Sequence, residues 1–191
     1  MIRAFIAVGI DPKTVQMISE PIDQLKLRTA VIRWAQLTNL HLTLKFLGDI
    51  EEATVEPIGR ALRQHVAPFP RFTINAKGLG VFPDVKRPRV LWVGLEGIHL
   101  TKLASTVETA LKPLGFTPEK RGFKPHLTVG RWRQPDKPTV PFVEELKRWK
   151  GHDFGRSEVR KITLFQSILR PEGAIHRPLE RIVLSDEEPL N

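Results

Sequence analysis

The segment His41-Leu42-Thr43-Leu44 returns 85 positions later as His126-Leu127-Thr128-Val129. Each copy alternates polar and apolar residues inside an apolar run, the pattern of a half-buried β-strand. In a strand, side chains at i and i+2 leave by the same face. Each copy therefore presents an imidazole and a hydroxyl side by side on a rigid support. The same offset carries Val8-Gly9-Ile10 onto Val93-Gly94-Leu95 and Phe69-Pro70-Arg71 onto Phe154-Gly155-Arg156. Three landmarks in one ungapped register read as a long-period duplication, not a solenoid. A fold for this chain has to relate two like halves, roughly 1–85 and 86–184, by a pseudo-twofold axis that brings the motifs face to face.

The rest of the chain fits that scheme. Ile2 to Ile10 reads as a buried strand, and Asp11-Pro12 opens a helix with Val15, Ile18, Ile22 and Leu25 on one face. Pro21 is expected to bend or shorten it. Val31 to Trp34 is a short strand, and His41 to Leu47 is the first motif strand, ended by Gly48. A helix over 51–66 and strands over 72–81 and 89–95 follow. The second half repeats the order: a helix over 99–114, the second motif strand, a helix over 138–149, and strands over 160–169 and 176–184. The acidic tail from Ser185 to Asn191 is expected to fray. This mixture predicts an α+β fold: one domain over 1–191, with two pseudo-symmetric lobes of antiparallel sheet and helices outside.

Bulk properties narrow the partners. The formal charge is +9 on 191 residues, which attracts polyanions. There is no cysteine, hence no disulfide and no thiolate nucleophile or metal ligand. The apolar start, Met1 to Val8, is cut short by Asp11-Pro12, and no apolar run reaches the length of a membrane span. The expectation is a soluble, cytoplasmic monomer.

Two imidazoles and two hydroxyls in one cleft suit acid–base work on a phosphodiester. Histidine titrates near ~6.5 and can take or give a proton at neutral pH. Placed on opposite sides of phosphorus, His41 and His126 allow in-line attack, while Thr43 and Thr128 donate to the non-bridging oxygens. No cofactor or metal is needed, and H-x-T lacks the His-x-x-x-His spacing of zinc proteases. Five positions after each histidine stand Phe46 and Arg131. A ring and a guanidinium plane could sandwich a nucleobase. Strict alternation sends both to the wrong face, so a strand end or a bulge is required. Lys45, by alternation on the face of His41, is a second candidate phosphate contact. Arg121 and Lys124 read as part of an electrostatic funnel, Trp34 and Trp132 as core residues with base stacking as the alternative, and His65, His99, His152 and His176 as structural or surface residues.

With both motifs in view the chain resembles the 2H phosphoesterase superfamily. More narrowly, it is similar to the bacterial and archaeal RNA 2′,3′-cyclic phosphodiesterases, long called 2′-5′ RNA ligases. The likeness runs through Arg3–Ala7, Asn39–Gly48, Gly80–Pro83, Arg89–Gly94 and Pro125–Arg131. It implies a basic cleft with His41, Thr43, His126 and Thr128 in its floor. It also implies hydrolysis of RNA 2′,3′-cyclic phosphate ends, such as those of tRNA fragments, to 2′-phosphates without metal or ATP, with 2′-5′ ligation as the reverse. An RNA-binding module with little catalysis, or an enzyme for small cyclic nucleotides or ADP-ribose cyclic phosphate, are the alternatives. One departure stands out: the family often shows a tyrosine where His176 stands, and this chain has none.

Overall fold

The computed structural model describes residues 1–119, 121–134, 137–170 and 173–186. Lys120, Asp136 and the tail beyond residue 186 lie outside them. Among the described residues, nine strands and four α-helices follow in the order β1 (Ile2–Gly9), α1 (Pro12–Lys26), β2 (Ile32–Trp34), β3 (His41–Ile50), α2 (Val55–Val66), β4 (Phe72–Phe82), β5 (Val90–Glu96), α3 (Leu100–Leu111), β6 (His126–Trp132), α4 (Val140–Arg148), β7 (Asp153–Val159), β8 (Lys161–Arg170) and β9 (Gly173–Val183).

The strands form one antiparallel sheet in the order β7-β4-β5-β6-β3-β1-β8-β9, with β2 added to β6. That order is a palindrome about the β6–β3 seam: β6 answers β3, β5 answers β1, β4 answers β8 and β7 answers β9. The lobes are therefore not the sequence halves. β4, from the first half, pairs with β5 in the second lobe, and β8, from the second half, pairs with β1 in the first. The helices cross over as well. α1 packs on β7, and α3 packs on β3. Where α1 meets β7, Thr14 donates to the Arg156 carbonyl at 2.8 Å and the Asp11 carboxylate accepts from the Glu158 amide at 3.0 Å.

Apolar periodicity explains the helices. Ile18, Ile22 and Leu25 of α1, Ile58, Leu62 and Val66 of α2, and Leu103, Val107 and Leu111 of α3 are all buried against the sheet. Pro21 does not end α1, which continues to Lys26 with the Pro21 ring buried. Two features differ from the sequence reading. Gly48 does not end β3; at φ +73° it sits inside the strand, beside a register shift, and the strand continues to Ile50. The sequence also does not predict β7, because Asp153-Phe154-Gly155-Arg156 lacks an apolar run. Only Phe154, Ser157 and Val159 are buried there, and the strand is fixed by its pairing with β4.

Candidate active site

The two motif strands meet at a single ladder pair, Leu42 with Leu127. Residues directly opposite in an antiparallel pair point the same way. Both leucines are fully buried, so their neighbours point to the other face. By that register Thr128 lies across from His41, and His126 across from Thr43. The four polar side chains thus form one patch at the seam, with the histidines on a diagonal, their Cα atoms about 8 Å apart from strand dimensions alone. The repeat and the seam together bring His41, Thr43, His126 and Thr128 to one place.

The histidines are held alike. His41 Nδ1 lies 2.7 Å from the Asn39 carbonyl, and His126 Nδ1 lies 2.7 Å from the Lys124 carbonyl. A carbonyl oxygen only accepts, so Nδ1 carries a proton in both rings. Each Nε2 is left to take up or release the proton that chemistry requires. Neither the Thr43 nor the Thr128 hydroxyl is engaged by another described residue.

Around these shared features the surroundings differ. His41 packs against Phe5 with ring centres 4.9 Å apart, and His176 meets it edge-on at 5.0 Å. Burial, aided by the His176 charge and opposed by the Asn39 hydrogen bond, pushes the His41 pKa down to about 4. Burial lowers His176 as well. His126 instead meets the edge of Phe82 at 5.2 Å, and Lys124 Nζ sits 5.9 Å from the centre of that ring. The sequence reading gives His176 a structural or surface role; the structure adds that its ring meets His41. His176 stands on β9 opposite Ser167, and only the sheet order, invisible in a linear motif, carries it to His41.

Bulges meet that requirement, one in each repeat. In the pairing of β1 with β3, Ile6 faces Lys45 but Ala7 faces Thr43, so Leu44 is the extra residue. In the pairing of β5 with β6, Leu91 faces Gly130 but Trp92 faces Thr128, so Val129 is extra. Each bulge turns the residue five after the histidine onto the histidine face. Phe46, 59% exposed, lies opposite Phe5. Arg131 lies opposite Val90, on the face of Gly94 and His126. The antiparallel register sets Phe46 and Arg131 on opposite sides of the histidine pair.

The bulge also corrects the expectation for Lys45, which leaves by the opposite face. Its side chain is 2% exposed and donates to Glu108 at 2.6 Å and to the Thr117 carbonyl at 2.9 Å. In this position it cannot reach a phosphate held at the seam. The equivalent position in the second motif strand, Gly130, has no room for a side chain unless Ile32 of β2 shifts, since a Cβ there would lie 2.6 Å from it. Trp132 is buried against Phe142, as core. Among the described residues no three His, Asp or Glu side chains gather as a metal site, and no helix is long and apolar enough to cross a membrane.

A curled antiparallel sheet presenting two imidazoles and two free hydroxyls is the frame of a two-histidine phosphoesterase. The LigT like Phosphoesterase family matches the chain over residues 8–92 and 94–176. The chain is 37% identical to an RNA 2′,3′-cyclic phosphodiesterase of Aquifex aeolicus, covering 96% of this chain and 98% of the relative. It is 36% identical to one of Archaeoglobus fulgidus, covering 93% and 97%. A crystal structure from Thermus thermophilus superposes with a TM-score of 0.81 at 25% identity, covering 98% of this chain and all of that one. E. coli LigT complexed with 3′-AMP shares the fold at a TM-score of 0.75, 22% identity, covering 96% and 98%. The chain belongs to the LigT-like phosphoesterase family of the 2H superfamily.

Proposed function

We propose that this chain is a metal-independent RNA 2′,3′-cyclic phosphodiesterase that opens terminal cyclic phosphates to 2′-phosphates, acting as a cytoplasmic monomer. The observation that carries the reading is the mirrored pair of histidines, each with Nδ1 tied to the carbonyl two residues upstream. The tie fixes both tautomers, so both Nε2 atoms are set for proton transfer.

The unequal surroundings support a division of roles. His41, held neutral by burial, is the base: its Nε2 takes a proton from the water that attacks phosphorus. His126 is the acid: its Nε2–H protonates the departing 3′ oxygen as the P–O3′ bond breaks, leaving the phosphate on O2′. Thr43 and Thr128 donate to the non-bridging oxygens, whose charge grows in the transition state. A base bound over this cluster has the Phe46 ring on one flank and the Arg131 guanidinium on the other. With a 5′-hydroxyl in place of water, the same transfers form a 2′-5′ linkage.

The test is incubation with a 2′,3′-cyclic-phosphate oligoribonucleotide in EDTA, with the position of the product phosphate identified. Turnover to a 2′-phosphate is expected. His41→Ala and His126→Ala should each lower kcat by about 10²–10⁴ with product affinity held within a few-fold. Turnover that needs added metal, or that survives either substitution, overturns the reading.

A further inference from the structure

Residues 83–89, the β4–β5 hairpin tip, rise from the wall of the site. At its base Phe82 pairs with Val90, and Val90 pairs with Arg131, so the three lie in one row across β4, β5 and β6. Neighbours in a row point the same way, and the Phe82 ring already touches His126. The tip thus overhangs the Arg131 side of the cleft.

Lys86 and Arg87 sit at this tip, both exposed. Asp84 stands beside them, but its carboxylate accepts from their backbone amides, at 2.7 and 3.1 Å, and so shapes the turn. Some cations elsewhere on the surface face carboxylates, as in Lys26–Asp23, Arg60–Glu56, Arg63–Glu180 and Arg160–Glu158. Among the described residues no carboxylate pairs with the side chains of Lys86, Arg87, Lys124 or Arg131. Four such cations along one wall create a field that a chain of phosphates satisfies and a single phosphate does not.

We propose that the β4–β5 hairpin tip is a docking surface for the backbone of single-stranded RNA. Lys86 and Arg87 would neutralise phosphates upstream of the terminal group at the seam, with Lys124 and Arg131 between. This rests on the cyclic-phosphodiesterase reading for what occupies the seam. It makes the substrate an oligonucleotide end, as opposed to a free nucleotide, by a device outside the four catalytic side chains.

The experiment measures binding, so its outcome does not depend on turnover. The probes are a fluorescent octaribonucleotide ending in a 2′-phosphate and a nucleoside 2′-monophosphate. Wild-type protein should bind the octamer at least tenfold more tightly at 0.1 M salt. K86E/R87E should cut octamer affinity tenfold or more and leave the monophosphate within twofold. It should also lower the slope of log affinity against log salt by about 1.4, at about 0.7 for each single-strand phosphate no longer neutralised. K102E/K147E makes the same charge change on exposed positions of the outer helices and should leave octamer binding within twofold. Equal wild-type affinity for the two probes overturns the proposal. So does wild-type octamer binding by K86E/R87E, or an equal loss in K102E/K147E.

Discussion

At the scale of single residues, two like imidazoles stand in different surroundings. His41 carries a consequence that stability reads directly. Its pKa in the folded protein is about 4, against an ordinary value of 6.5. Between those values the unfolded chain binds the proton and the folded one does not, so the group stabilises the fold fully above pH 6.5. That contribution is lost as pH falls from 6.5 toward 4. The difference is worth about 3 kcal/mol across the window. Urea denaturation at pH 7.0 and pH 4.5 should show wild type losing more stability than His41→Gln on acidification; equal losses would refute the assignment. If His41 is the base, the acid limb of kcat/KM should also fall near pH 4, well below the range of an unburied histidine. The pairing of His and Thr is readable in the sequence because it is local. The place of His176 is not, because it depends on β8 and β9 folding back beside β1.

At the scale of elements, the two β-bulges decide what each motif strand presents. Alternation alone puts Lys45 in the cleft and turns Phe46 out of it; one extra residue reverses both. Sequence reasoning can state that Phe46 needs a strand end or a bulge, yet nothing in Leu44-Lys45 announces which it is or where it falls. The signal lies in the partner: Lys45 has Glu108 of α3 to meet, which only the folded chain reveals. That pair is buried on one side, with Lys45 also holding the Thr117 carbonyl and Glu108 lying 3.4 Å from the Glu119 amide. Lys45→Met should therefore cost about 3 kcal/mol or more in chemical denaturation, because it strands Glu108, whereas K45M/E108L should recover most of that loss. If the single change is silent, the ion pair has no structural weight.

At the scale of the whole molecule, the palindromic strand order interlocks the halves. The α+β class is legible in the sequence, since strand and helix periods are local, and the 85-residue offset between the two motifs needs no structure to count. The sequence cannot disclose the exchange of strands, because β4 and β8 look alike wherever they pair. The exchange predicts that neither half folds alone. Residues 1–88 leave β1 without β8 and β4 without β5; residues 89–191 lack their counterparts. Each fragment should show no cooperative unfolding by circular dichroism, and mixing them should restore both the transition and turnover. A half that folds cooperatively by itself would rule the interlock out. The same crossing has a cost in time during synthesis. β1 leaves the ribosome long before β8, which covers its second edge. At about 5–20 residues per second, the apolar strand Ile2–Gly9 waits roughly 8–30 s with one edge bare, open to pairing with another nascent chain.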